Sequence, residues 1–265
     1  MKSESKKEIE GPLELYFEIK KQRENIVSPV DTMGCFITPP YRTEEERRFH
    51  ILVSLLLSSQ TKDEVTHEAM ERLRELLPEN AAIDDNIRRG LTIENIVNSS
   101  VDHINECIKR VGFHNKKAEN LKKIAEILKK KGLPKRMEDL TSLPGIGNKM
   151  AILYMNHACG KVVGISVDTH VHRISNRIGL VKTRDVEDTR EGLEKIIPKK
   201  EWKTINRILV GYGQTICVAR RPRCEECCIR SRCPSSLFNR KASALKEEIF
   251  YSVTSIAPVS TISPS

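Results

Sequence analysis

Leu143-Pro144-Gly145-Ile146-Gly147-Asn148-Lys149-Met150-Ala151 lies between two stretches of helical periodicity. Two glycines two positions apart, followed at once by a helix, leave backbone N–H groups unblocked by side chains and aimed outward. With the helix dipole behind them, such amides suit a phosphate. The same pattern also serves as an ordinary helix–turn–helix connection in which glycine supplies the turn. In either reading the stretch joins two helices.

Working outward, the chain is helical almost throughout. Residues 11–27 read as a helix with Pro12 in its first turn, followed by a Pro- and Gly-containing loop from Ser28 to Tyr41. Thr43-Glu44-Glu45-Glu46 reads as a capping box that opens a helix carrying Phe49, Leu52, Val53, Leu56 and Leu57. Another helix starts at Thr61 or Lys62 and runs through Val65, Ala69, Leu73 and Leu76 to Pro78. Shorter helices are expected near 93–99 and 101–110, then a basic one over 114–131 closed by Gly132 and Pro134. The spacing predicts further helices over 136–142, 148–159, 169–178, 187–197 and 200–212. Only Lys161 to Val167 (KVVGISV) has strand character, and a single short strand has no evident partner. The fold class is therefore all-α. Residues 1–10 are expected to be flexible. Residues 241–265 are expected to be disordered, their last 14 holding nine Ser, Thr or Pro.

At roughly 150 residues per domain, 265 residues predict one large or two modest domains. The longest apolar run, Ile51 to Leu57 with Ser54 inside it, is far below the roughly 18 residues that span a bilayer, so a membrane protein is excluded. No signal-peptide core is visible, and a reducing compartment is expected. Lys+Arg 45 against Asp+Glu 36 leaves +9, which points to an anionic partner. Residues 109–136 hold eleven Lys/Arg against two Glu, and residues 217–241 hold seven against two. The first stretch also fits a solvated helix face, since Ala118, Leu121, Ile124, Ala125 and Leu128 recur at helical spacing. Two separated basic patches on an otherwise acidic chain favour a track for a phosphate backbone.

Eighteen residues separate Lys149 from Asp168, which lies within Val167-Asp168-Thr169-His170-Val171-His172-Arg173. Read plainly, Asp168 is a helix N-cap and Lys149 a surface lysine. Read chemically, the positive end of a helix dipole disfavours the ammonium form, which frees an amine as a nucleophile. An amine attacking a sugar C1′ displaces the base and forms a Schiff base. A neighbouring carboxylate can stabilise the developing oxocarbenium charge and assist proton transfer.

Five of the eight cysteines fall between Cys217 and Cys233. Cys217, Cys224, Cys227 and Cys233 are spaced C-x6-C-x2-C-x5-C, a compact count that favours a 4Fe–4S cluster. A four-cysteine zinc site is the alternative, although only one C-x2-C pair is present. Cys228 leaves the ligand assignment open by one position, and arginines 220, 221, 223, 230 and 232 interleave the ligands. Cys35, Cys107 and Cys159 read as buried small residues.

The hairpin, the VDTHVHR segment and the cysteine rhythm together resemble the endonuclease III family of DNA glycosylases over about residues 12–238, and LLLSSQTKDEVT looks closest to its eukaryotic branch. The resemblance implies two helical domains flanking a DNA-binding cleft. A six-helix barrel with the helix-hairpin-helix would span 41–162. Residues 11–40 and 163–240 would form a discontinuous domain with one 4Fe–4S cluster on Cys217, Cys224, Cys227 and Cys233. It further implies that Lys149 is the Schiff-base nucleophile, Asp168 the catalytic carboxylate, and Gly145 and Gly147 part of the DNA grip. Gln60 would fill the gap left by the flipped nucleotide and Phe113 would be the apolar wedge on the opposite loop; a helix C-cap and a core aromatic are their plainer readings. Adenine-specific relatives lack the lysine and 8-oxoguanine relatives lack the cluster. Having both implies a bifunctional enzyme that excises oxidised pyrimidines such as thymine glycol from double-stranded DNA and cleaves 3′ to the abasic site by β-elimination. A monomer in the nucleus is expected, with the mitochondrion as the other compartment. The alternative from another class is a non-catalytic DNA-binding protein that uses the hairpin and a metal-bound cysteine loop as scaffold.

Overall fold

The computed structural model describes residues 11–37, 43–76 and 90–238. The expected flexible residues 1–10 and disordered residues 241–265 lie outside the described residues. Helices α1 (Pro12–Arg23), α2 (Pro29–Thr32), α3 (Glu44–Ser58), α4 (Asp63–Arg74), α5 (Ile93–Asn98) and α6 (Val101–Ile108) come first. They are followed by α7 (His114–Lys131), α8 (Met137–Thr141), α9 (Asn148–His157), α10 (Thr169–Arg177), α11 (Val186–Ile196) and α12 (Ile205–Thr215). No strand occurs among the described residues.

Two hydrophobic cores divide these helices. The first gathers Phe49, Leu52, Leu56 and their neighbours on α3 with Leu73, Ile96, Ile104, Leu121, Ile124 and Tyr154. Here α5 and α6 pack on α7, and α3 packs on α4, α7 and α9. The second gathers Tyr16 and Ile19 of α1 with Val171, Ile174, Leu193, Leu209 and Tyr212. Local chemistry sets the helix starts. Thr43 Oγ1 accepts from Glu46 N at 3.1 Å and opens α3, while Asp185 Oδ1 accepts from Glu187 N and Asp188 N and opens α11. Gly132, at φ +74°, ends α7 in a conformation that a side chain would strain.

Three segments differ from expectation. Lys161–Val167 runs extended but forms no strand, because side chains take the place of a partner strand. Asn156 donates to Gly164 O and accepts from Val163 N, Glu194 accepts from Ile165 N, and Asn206 donates to Ser166 O. The helix expected over 200–212 instead spans Ile205–Thr215. Before it, Lys199–Glu201 forms a 3-10 turn. The buried Glu201 accepts from Tyr16 Oη at 3.1 Å and pairs with Lys20, which ties this turn to α1. The loop from Ser28 contains α2, started by Pro29 and by Ser28 N donating to Asp31 Oδ2 at 2.9 Å.

The extended segment carries the chain from α9, rooted in the first core, to α10, rooted in the second.

Candidate active site and DNA interface

The hairpin joins α8 to α9 through a turn anchored by the buried Leu143 and Ile146. Gly145 has φ +81°, and a Cβ there would stand 2.6 Å from Asn120 Nδ2 and 3.2 Å from Leu56 Cδ1, so the turn lies against α7 and α3 only because the position is glycine. Gly147, the N-cap of α9, faces open space and contributes no capping side chain. The first N–H groups of α9 are thereby left uncovered at the positive end of the helix.

Lys149 stands in that first turn, 46% exposed, with Nζ 3.7 Å from Asp168 Oδ2; the Asp168 side chain is only 16% exposed. Asp168 is also an N-cap: its Oδ1 accepts from His170 N and Val171 N, each at 2.9 Å. The plain reading of this residue holds and the chemical one is geometrically compatible with it, because one oxygen fixes α10 and the other faces the lysine. Burial keeps His170 below the usual histidine range despite the Asp168 charge, so it is neutral at pH 7.

Two further polar residues sit here that sequence reasoning missed. Asp63 Oδ2 accepts from Gln214 Nε2 at 2.7 Å, and Gln214 Oε1 accepts from Val30 N at 3.1 Å. One amide therefore joins the first helical body, α12 of the second and the N-terminal segment. Burial raises the Asp63 carboxyl, and it lies within the field of His170 and Lys149. In sequence Asp63 looks like any first-turn acid, and nothing signals Gln214.

Gln60 and Phe113 occupy facing loops, and both adopt the left-handed conformation, at φ +50° and +59°. Phe113 is 67% exposed, so the core-aromatic reading fails. Gly112 binds the loops together. A Cβ there would come 2.6 Å from Gln60 O, and its N–H donates to Thr61 Oγ1 at 3.1 Å. Beneath them lies Lys117, 5% exposed, whose Nζ donates to Leu57 O, Ser59 O and Thr61 Oγ1 at 2.7, 2.6 and 3.2 Å. Burial pushes this ammonium down to about 8, so at neutral pH it stays charged and caps α3. Lys117→Met should remove the donor these acceptors share, leaving Thr61 Oγ1 to Gly112 N–H and Ser59 O to Thr61 Oγ1 but Leu57 O without its side-chain partner, and lower stability by about 1–3 kcal/mol. Thermal unfolding checks this; a melting temperature equal to wild type would contradict it.

The basic patches narrow once their partners are known. Lys117 and Lys122 spend their charge on backbone carbonyls. Lys109, Arg110, Lys116, Lys129 and Arg136 pair with carboxylates. Lys123 and Lys130, in no ion pair among the described residues, line a shallow groove with Glu126 and Ile127 of α7 and Pro144 of the hairpin. In the second patch, Arg232 pairs with Glu14 and Glu18, and Arg230 lies over the Phe238 ring. Arg220 and Arg221 remain exposed, Arg221 at φ +52°. Arg177 fixes the residues just before them by donating to Val218 O and Ala219 O, each at 2.8 Å.

Cys217, Cys224, Cys227 and Cys233 line one cavity, whereas Cys228 is exposed and stands outside it. No set of three or more His, Cys, Asp or Glu among the described residues converges as for a single metal ion. The surroundings fit a larger anionic centre. Arg177, Arg223 and Arg230 edge the cavity, and the Ser236 hydroxyl is buried in its wall without a partner among the described residues. Burial and the adjacent thiols push Cys227 and Cys233 up, a cost that ligation of each thiolate to iron reverses.

The profile of the HhH-GPD superfamily base excision DNA repair proteins matches residues 53–199. The chain is 78% identical over 238 residues to an endonuclease III homolog of Encephalitozoon cuniculi, covering 90% of this chain and all of that one. It is 42% identical to the endonuclease III homolog of Schizosaccharomyces pombe, over 84% of this chain and 61% of that one. Among solved structures, a trapped endonuclease III–DNA covalent intermediate superposes with a TM-score of 0.68 at 25% identity, over 86% of this chain and 97% of that chain. A non-covalent endonuclease III–DNA complex, at 24% identity and a TM-score of 0.70, shares the fold over 88% of this chain and 100% of that chain.

Proposed function

Since the chain belongs to the endonuclease III family of HhH-GPD base excision repair proteins, and is a DNA glycosylase and abasic-site lyase, we propose that it removes oxidised pyrimidines such as thymine glycol and cleaves the strand through a Schiff base on Lys149. The observation that carries this reading is the meeting of Lys149 Nζ and Asp168 Oδ2 at 3.7 Å beside the hairpin.

The uncovered amides of the hairpin and α9 would hold a phosphate, with the Lys123 and Lys130 groove alongside. Gln60 and Phe113, held rigidly on facing loops, would enter the stack and occupy the gap left by the flipped nucleotide. The Lys149 amine, once its proton has passed to Asp168 Oδ2, then attacks C1′. The N-glycosidic bond breaks, and its electron pair leaves with the base, which takes that proton from Asp168. Asp168 Oδ2, free of capping duty, offsets positive charge developing on the sugar and accepts the proton that Lys149 gives up. Opening of the sugar ring gives the imine. Loss of a C2′ proton expels the 3′ phosphate, and water then releases Lys149.

Cys217, Cys224, Cys227 and Cys233 would hold one 4Fe–4S cluster. When bound, it supplies iron–thiolate cross-links and a redox centre. Arg173 and Arg177 of α10 already donate to Cys217 O and to the carbonyls after it, which ties the helix capped by Asp168 to the cysteine loop.

Single-turnover assays on duplexes carrying one lesion each test the substrate. Thymine glycol should be released at least about tenfold faster than 8-oxoguanine or a mispaired adenine, the difference one poorly fitted group makes in a pocket. Faster release of either purine would overturn the assignment.

A further inference from the structure

Three residues beyond Cys233, Ser236 folds back on the cysteine loop as its N–H donates to Cys233 O at 3.1 Å. The residue is 2% exposed and lines the same cavity as the four cysteines. Its Oγ is shut off from solvent and has no hydrogen-bond partner among the described residues. A buried hydroxyl without a partner is destabilising, and such a position is explained by an acceptor that belongs in the cavity. The neighbouring walls, Ile178, Ile216 and Ile229, carry no side-chain acceptor.

We propose that the Ser236 hydroxyl donates a hydrogen bond to a sulfur of the 4Fe–4S cluster and raises its reduction potential. Two other donors already reach ligand sulfurs. Arg177 Nη1 lies 3.5 Å from Cys217 Sγ, and Tyr212 Oη lies 3.2 Å from Cys227 Sγ. Tyr212 shares its one proton with Gln22 Oε1 at 2.8 Å, so its donation to sulfur is divided. Ser236 has no competing acceptor among the described residues, which leaves its proton for the cavity. A hydrogen bond to sulfur draws electron density from the cluster and favours its more negative, reduced state, so each donor moves the potential upward. Ser236 is in this sense a positioning and tuning residue for the cofactor and touches no DNA.

The proposal rests on the cysteines holding a cluster, and its test separates the two claims. Iron content and visible absorption of the purified holoprotein are measured first; a colourless wild-type protein without iron defeats the cluster reading itself. Midpoint potentials of wild type, Ser236→Ala and Ser236→Thr are then recorded on a DNA-modified electrode. Iron–sulfur stretching frequencies are compared in H2O and D2O. Ser236→Ala should load iron, titrate at a more negative potential and lose part of the solvent-isotope shift. Ser236→Thr, which keeps the hydroxyl, should return both toward wild type. An iron-loaded Ser236→Ala with wild-type potential and isotope shift would overturn the hydrogen bond alone.

Discussion

Lys149→Ala should abolish borohydride-trapped adducts on abasic or thymine-glycol DNA and lower strand cleavage by at least about a thousandfold, the scale of losing a covalent nucleophile. DNA binding should survive the change. The hairpin is held by the buried Leu143 and Ile146 and by the fit of Gly145 against Asn120 and Leu56, none of which involves the lysine side chain. Alanine is also a strong helix former, so the first turn of α9 should persist and keep its amides aimed outward. Lys149→Arg isolates the chemistry from the charge, because a guanidinium keeps the positive charge but is not a nucleophile. Gel-resolved trapping and equilibrium binding on the same duplex check both halves. A trapped adduct from Lys149→Ala at the wild-type rate would contradict the assignment.

Asp168→Asn should slow base release by about 10²- to 10⁴-fold, the usual worth of a positioned acid–base group. Stability should hardly move, because asparagine caps a helix about as well as aspartate and its side-chain oxygen can still accept from His170 N and Val171 N. This contrast separates the two duties of the residue. Were Asp168 only a cap, the asparagine variant would turn over normally. Were it only catalytic, Asp168→Ala would melt at the wild-type temperature, whereas loss of a cap costs about 1 kcal/mol. Single-turnover release and thermal unfolding of the two variants decide the matter.

Much of this site can be read from the chain because its residues stand in local motifs. Gly145, Gly147, Lys149 and Asp168 lie within 24 positions, and capping, dipole and backbone rules all act over that range. The basic helix is legible too: its apolar face repeats at 3.6 residues, and Gly132 ends it where the periodicity stops. Burial of a charge is not legible in the same way. Lys117 sits among lysines that look alike in sequence, yet it turns inward to cap α3, while Lys123 stays beside the hairpin. The Asp63–Gln214 bond joins residues 151 positions apart, and no periodicity or spacing encodes it. The extended run Lys161–Val167 misleads for a related reason: β-branched residues mark backbone that favours extension, but hydrogen bonding to Asn156, Glu194 and Asn206 decides that no ladder forms. Phe113 ends up exposed because left-handed backbone at that position turns an aromatic out of the core, which residue type alone does not foretell.

The most direct test of the chemistry is to trap the wild-type protein on thymine-glycol DNA with borohydride, digest the complex and locate the modified side chain by mass spectrometry. The expected result is a single reduced adduct on the peptide containing Lys149. An adduct on another amine, or turnover of the lesion with no adduct at all, would contradict it.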